Sequence, residues 1–312
     1  MLPSFHDSIA LRLDPLTCQF ETVLYRDLSW SLDDAGPQNG SILVERFRTY
    51  GCKLLDLSDH KSRLLHGATQ FGIDSSPLAF GFEEICNRLV DSNRNFIRQN
   101  GDVSLVLLLS PGEARPNNEL GKHPTCMIHL SPLPFAKLSR WYRSGTELSI
   151  GSNETVPSEC WPKQIKCRSR LPYFLSDSFA TRHQVDALAV LKTARGTISD
   201  TSVANILIVD ESGVIASPHA GDILFGCTLQ ALTRLLDNNG VKVCYRDIKE
   251  SDIAVASEVI LTGTSGGIWF ASSLDGKRIG NRADRPIGRM LTELWKEHVG
   301  IDFVEQAVQA AN

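Results

Sequence analysis

Ile165-Lys166-Cys167-Arg168-Ser169-Arg170-Leu171-Pro172-Tyr173 and Ser199-Asp200-Thr201-Ser202-Val203-Ala204-Asn205-Ile206-Leu207 are the two runs from which the rest of this chain can be read. The first sets a lysine six residues before a proline, and the second an aspartate five residues before an asparagine that opens an aliphatic stretch. A lysine amine can act as a nucleophile and a carboxylate as a charged hydrogen-bond acceptor, so both runs hold groups able to carry chemistry. Singly, neither says much: most lysines are solvated, and many aspartates only close turns on their own backbone. Ordered companions elsewhere in the chain give them weight.

The chain has 312 residues, of which 42% are hydrophobic, enough for a sizeable core and for two domains of ordinary size. With a formal net charge of −4 and scattered lysines and arginines, it gives no electrostatic reason to expect nucleic acid or an anionic membrane as partner. Met1 to Asp14 lacks a basic stretch followed by an apolar run, and no segment approaches membrane-spanning length, so the cytoplasm is the expected location. The eight cysteines form no Cys-x-x-Cys pair, which predicts reduced, mostly buried thiols and no metal site.

Leu43 to Leu55 alternates around Tyr50-Gly51-Cys52-Lys53 and predicts two strands joined by a tight turn, followed by a helix capped near Ser58 or Asp59 and ending at Gly67. Ser76-Pro77 opens one longer helix with Phe82, Ile85, Leu89 and Val90 on a face, and Val103 to Leu109 and Thr125 to Leu130 read as strands. These make a small α/β domain over 1–150. Gly151 to Lys163, with two prolines and no periodicity, reads as a connection, and 164–312 as a larger, strand-rich domain. In it, helices are predicted over Tyr173 to His183, Thr228 to Asn238 and, closing the chain, Pro286 to His298.

Read with their companions, the lysine and acid runs resemble the class IV aminotransferases, the fold type IV pyridoxal-phosphate enzymes that include branched-chain and D-amino-acid aminotransferases and aminodeoxychorismate lyase. The resemblance runs from about Ser41 to His298 and implies a two-domain α/β (α+β) fold with pyridoxal 5′-phosphate as cofactor. Lys166 stands where the family has its Schiff-base lysine. Asp200 stands at the family's pyridine-nitrogen acid, normally glutamate. Being one methylene shorter, about 1.5 Å, it reaches the nitrogen only if the backbone moves inward or a water bridges the gap.

Arg63, in Asp59-His60-Lys61-Ser62-Arg63-Leu64, resembles the family's phosphate-clamping arginine, whose planar fork suits two phosphate oxygens. Gly226-Cys227-Thr228, ahead of a predicted helix, resembles a first phosphate loop with Phe225 replacing a proline, and Gly263-Thr264 resembles a second. Glu45 and Arg48, in Val44-Glu45-Arg46-Phe47-Arg48, resemble the strand near the substrate, with Arg46 where threonine is usual. Arg46 and Arg48 are therefore candidates to hold a substrate carboxylate, with a cross-strand salt bridge to Glu45 or a neighbour as the alternative.

The activity implied is transfer of an amino group between an amino acid and a 2-oxo acid in a homodimer. The alternatives are a lyase of the aminodeoxychorismate type, which releases pyruvate, or a fold relative with weakened catalysis.

Overall fold

The computed structural model describes residues 4–113, 123–280 and 284–311. The chain forms two compact units: Met1–Leu133 with Ile165–Ser169, and Pro134–Gln164 with Arg170–Asn312.

In the first unit, six strands form an antiparallel sheet in the order β2-β1-β6-β5-β3-β4. They are β1 (Ile9–Asp14), β2 (Gln19–Leu24), β3 (Leu43–Tyr50), β4 (Lys53–Leu54), β5 (Val103–Ser110) and β6 (Thr125–Pro132). The aliphatic run Val-Ser-Leu-Val-Leu-Leu-Leu lies in the centrally placed β5, flanked by β3 and β6 and buried along nearly its whole length, as a run apolar at both alternating sets of positions requires.

The helix Leu57–Gln70 begins after Asp56 and continues past Gly67, where a helix end was expected. Gly67 is there for space: a Cβ at that position would sit 3.0 Å from Leu43 Cδ2, so the absent side chain lets the helix lie close on β3. The single helix expected after Ser76 is three, Ser76–Ala79, Phe82–Ser92 and Arg94–Asn100, interrupted at Gly81 and at Asn93, whose buried side chain bonds the β1 backbone at Ile9.

The second unit carries a mixed sheet of nine strands in the order β12-β11-β10-β13-β14-β7-β8-β9, with β15 paired to β14. These are β7 (Thr146–Glu154), β8 (Leu188–Lys192), β9 (Ile198–Thr201), β10 (Asn205–Val209), β11 (Ile215–Ser217), β12 (Val243–Tyr245), β13 (Glu258–Gly263), β14 (Gly267–Leu274) and β15 (Lys277–Arg278). Its core gathers Leu148, Val190, Ile206, Ile208 and Leu261 around the stacked indoles of Trp141 and Trp269, 5.1 Å between ring centroids.

β7 runs through the boundary expected at 150 and into the expected connection, because it pairs in parallel with β8 and β14, partners too distant in sequence for a local pattern to reveal. Ile165–Ser169 clusters with the first unit because it adds to β3. The Val44 N–H donates to Lys166 O at 2.9 Å, the Arg168 N–H to Ile42 O at 2.8 Å, and Cys167 lies opposite Leu43. A helix beyond Pro286–Val299, Phe303–Ala310, was not foreseen. No helix among the described residues is long and apolar enough to cross a membrane. Of the eight cysteines only Cys86, Cys126, Cys167 and Cys227 are buried, and all eight are free thiols.

Candidate active site

Alternation along β3 sends its side chains to opposite faces, and the two faces do different things. Leu43, Glu45 and Phe47 face the helix Leu57–Gln70. The buried Glu45 carboxylate accepts from Arg63 Nε and Nη2, each at 2.7 Å, and from His60 Nδ1 at 2.7 Å. Burial alone pushes the Glu45 carboxyl up, but the Arg63 charge and hydrogen bonds, seconded by His60, hold it well below the usual carboxylate range.

Burial lowers His60, and the Glu45 contact does not restore it, so at neutral pH the ring is neutral and Nδ1 carries the proton it donates. The Lys166 charge is also felt at His60, which sets the amine within electrostatic reach of this cluster. Lys166 itself is half-buried.

Arg46 and Arg48 occupy the other face of β3, so the salt bridge with Glu45 expected as an alternative for Arg48 does not form; Glu45 belongs to Arg63. Arg48 is buried, its guanidinium 4.7 Å from the Tyr50 ring centroid. Arg46 is half-buried and donates from Nη1 to Ser131 Oγ at 3.4 Å. Arg63 gives the Nε–Nη2 edge of its fork to Glu45, so a phosphate would have to be met by the opposite edge.

In the second unit, Asp200 sits on β9, buried, with both oxygens engaged. Tyr173 Oη–H donates to Oδ1 at 2.7 Å, and the Leu224 N–H to Oδ2 at 3.1 Å. Burial pushes the Asp200 carboxyl up; the two donors and the charges of Arg170 and Lys163 pull it back only in part. Between β9 and β10, Thr201 Oγ1 accepts from the N–H groups of Val203 and Ala204 at 3.2 and 2.9 Å, closing the turn that sets the Asp200-to-Asn205 spacing.

Asn205 then clamps the loop ahead of the helix Cys227–Asn238. Its Nδ2 donates to Leu224 O at 2.8 Å and its Oδ1 accepts from the Gly226 N–H at 3.1 Å. Gly226 is the N-cap, with no side-chain cap hydrogen bond, so the N–H groups of Cys227 and Thr228 stand at the positive end of the helix. A Cβ on Gly226 would lie 2.5 Å from Asn205 Oδ1. Gly263 is likewise held close to the Val203 carbonyl, and Thr264 is in the tight turn joining β13 to β14.

This donor set suits a phosphorylated pyridine aldehyde. In the second unit, backbone N–H groups at a helix N-terminus suit a phosphate and a buried carboxylate a ring nitrogen; in the first, an arginine fork suits a phosphate and an amine an aldehyde. One observation supports the fit independently: Thr262 Oγ1 is buried with no hydrogen-bond partner among the described residues, and Thr262 is the cross-strand neighbour of Asn205. Sequence reasoning missed Thr262 and Tyr173. Tyr173 had been read only as a helix residue, and its distance in sequence from Asp200 left no pattern to find.

Residues 42–274 match the model of the family described as amino-transferase class IV. The chain belongs to the class IV aminotransferases. Members of this enzyme family depend on pyridoxal phosphate. A D-alanine aminotransferase from Bacillus licheniformis is 24% identical over 82% of this chain and 87% of its own length.

The fold is shared with solved structures of low identity. A hypothetical aminotransferase from Mycobacterium tuberculosis in its PLP-bound form has a TM-score of 0.78 at 18% identity over 94% of this chain and 99% of that one. A 4-amino-4-deoxychorismate lyase from Pseudomonas aeruginosa has a TM-score of 0.75 at 20% identity over 88% and 97%. Within this class IV chain, the sequence-derived candidates fall into two sets. Lys166, Arg63, Arg46 and Arg48 belong to the first unit, and Asp200, Gly226, Cys227, Thr228, Gly263 and Thr264 to the second.

Proposed function

We propose that this chain is a pyridoxal-phosphate-dependent aminotransferase that moves an amino group between an amino acid and a 2-oxo acid, with Lys166 as the reacting amine. The observation that carries the reading is the buried Asp200, held at both oxygens directly beside the loop that opens the helix Cys227–Asn238. Its carboxyl is pushed up by burial and stands beside the N-terminus of that helix, a combination that is enriched at functional sites.

When bound, pyridoxal phosphate supplies an aldehyde that condenses with amines and a ring that draws electrons from the carbon next to the nitrogen. Lys166, as the neutral amine, removes and returns the proton at the substrate's α-carbon. Asp200 holds a proton on the ring nitrogen. Arg63, the N–H groups of Cys227 and Thr228, Gly263 and Thr264 bind phosphate, and Arg48 and Arg46 orient the substrate's carboxylate chemistry. A cytoplasmic homodimer is part of the same reading, with size-exclusion chromatography coupled to light scattering as its check.

The test is to add single amino acids to the cofactor-loaded protein. Loss of the aldehyde absorbance with formation of the pyridoxamine form supports transfer; pyruvate release from aminodeoxychorismate without that conversion indicates the lyase instead.

A further inference from the structure

The runs Lys277-Arg278 and Arg285-Pro286-Ile287-Gly288-Arg289 are basic in a chain whose formal net charge is −4, and the candidate active site uses none of their side chains. The fold of the second unit brings their arginines together. Glu258, at the start of β13, accepts from the N–H groups of Ile287 at 3.0 Å and Gly288 at 2.7 Å, which ties the start of the helix Pro286–Val299 to the sheet. Arg285, just ahead of that helix, sets its guanidinium over the Phe270 ring of β14, 3.5 Å from the centroid. Arg289 follows one turn later, its N–H donating to Arg285 O at 3.0 Å.

Arg278 reaches the same face through an irregularity in β14. The pairing of β14 with β7 shifts register between Ala271 and Ser273, so the partly exposed positions of the strand run 270, 272 and 273 where strict alternation would give 270, 272 and 274. Ser273, and Arg278 opposite it on β15, therefore come to the side on which Phe270 carries Arg285.

These charges lack a partner. Arg278, Arg285 and Arg289 make no ion pair with a carboxylate among the described residues, and the contact with Phe270 takes none of the five N–H donors of Arg285. Burial lowers Arg285, and the Arg278 and Arg289 charges lower it further; Glu258 opposes them, but it is buried with both oxygens occupied by the helix. The backbone of Arg285 is left-handed, φ 41°, a conformation that side chains of this size rarely adopt and that collects at binding sites. Three cations that repel one another, one of them half-buried, cost free energy that a shared anion recovers. A phosphate group brings a charge of about −1.5 to −2 and three acceptor oxygens to three arginine forks, more than a single carboxylate offers.

The cluster is separate from the turn that carries Gly263 and Thr264. Gly267 pairs with Gly263 at that end of β14, and the strand from there to Ser273 spans about 20 Å.

We infer that Arg278, Arg285 and Arg289 form a second anion site on this chain, selective for a phosphate group carried by inorganic phosphate or by a phosphorylated small molecule. The site does not depend on the aminotransferase reading.

The test is calorimetry on protein saturated with pyridoxal phosphate, so that the loop at Gly226 is already filled, titrated with inorganic phosphate, glycerol phosphate and acetate at one ionic strength set by sodium chloride. Both phosphates are expected to bind saturably and acetate at least tenfold more weakly; the tighter of the two phosphates tells the free anion from the ester. Arg285→Gln is expected to weaken phosphate at least tenfold. Arg278→Gln, at an exposed strand position in case the first variant folds poorly, is expected to weaken it severalfold. Arg98→Gln, which removes the same charge from an exposed helix end in the first unit, is expected to leave it unchanged. Absence of saturable binding, acetate binding as tight as phosphate, or binding unaltered in both Arg285→Gln and Arg278→Gln or weakened equally by Arg98→Gln overturns the site. Failure of the aminotransferase reading shows itself separately, as absence of cofactor uptake before any anion is added, and the comparison of variants then decides the site on its own.

Discussion

The Tyr173 hydroxyl donates to Asp200 Oδ1 over 2.7 Å while the Leu224 N–H holds Oδ2 at 3.1 Å, so a tyrosine on one element and a backbone amide on another fix the orientation of a single buried carboxylate. Hydrogen bonds to a charged group contribute about 1.5–3 kcal/mol each, and here they oppose a burial that favours the protonated acid. Tyr173→Phe is therefore expected to raise the Asp200 pKa further. In the cofactor-free protein this should appear as a protonated-carboxyl infrared band persisting to higher pH than in the wild type. In the loaded enzyme, kcat/KM should fall by roughly tenfold or more, with Asp200→Asn worse still. An unchanged infrared titration would show that the hydroxyl has no hold on Asp200.

The Glu45–Arg63–His60 cluster predicts a steep loss on breaking one member. Removing one partner of a buried ion pair leaves an uncompensated charge and costs about 3–5 kcal/mol. Arg63→Ala and Glu45→Gln should each lower the melting temperature by several degrees, and the double variant should be less harmful than the two losses added together. Additive losses in a double-mutant cycle would show that the contacts are not coupled.

The same cluster sets an acid limit. Glu45 has a folded pKa below its unfolded value of about 4.5, so its contribution is complete above that pH and is lost as pH falls. His60 is depressed from about 6.5, so it too stabilises the fold above that value and stops doing so below it. Asp200 has the opposite sign, because its raised pKa costs stability as pH rises. Thermal melts should therefore show stability falling as pH drops from about 7 toward 5, and the fall should be shallower in His60→Gln. A flat wild-type profile through this range would count against a neutral His60.

Gly226 leaves room for nothing but hydrogen. A Cβ would meet Asn205 Oδ1 at 2.5 Å, so Gly226→Ala must displace the asparagine that holds both Leu224 O and the Gly226 N–H. Fluorescence titration should show cofactor affinity reduced by about tenfold in Gly226→Ala and in Asn205→Ala, with little further loss in the double variant. Full affinity in Gly226→Ala would mean the loop is not part of the cradle.

How far the sequence could be read depended on whether a feature was local. The Tyr50–Lys53 turn, the aliphatic strand at Val103, the Thr228 to Asn238 helix and the ordered motifs from Arg63 to Thr264 are written in short stretches, and the structure has elements there. The pairing of β7 with β8 and β14 was not legible, because parallel partners lie far apart in sequence. Gly67 misled because a glycine that admits a neighbouring strand looks the same as one that ends a helix. At the site, residue identities were legible but partnerships were not. Glu45 paired with Arg63 rather than with its strand neighbours, and the Tyr173–Asp200 and Thr262–Asn205 relationships have no sequence signature.

The most direct test of the account is borohydride reduction of the protein loaded with pyridoxal phosphate, followed by peptide mapping of the phosphopyridoxyl adduct. The account predicts one modified residue, Lys166, and no adduct in Lys166→Ala. Lys163 is the informative rival: it is half-buried, lowered by burial, and close enough to Asp200 to feel its charge. An adduct on Lys163, or none on a protein that has taken up the cofactor, would contradict it.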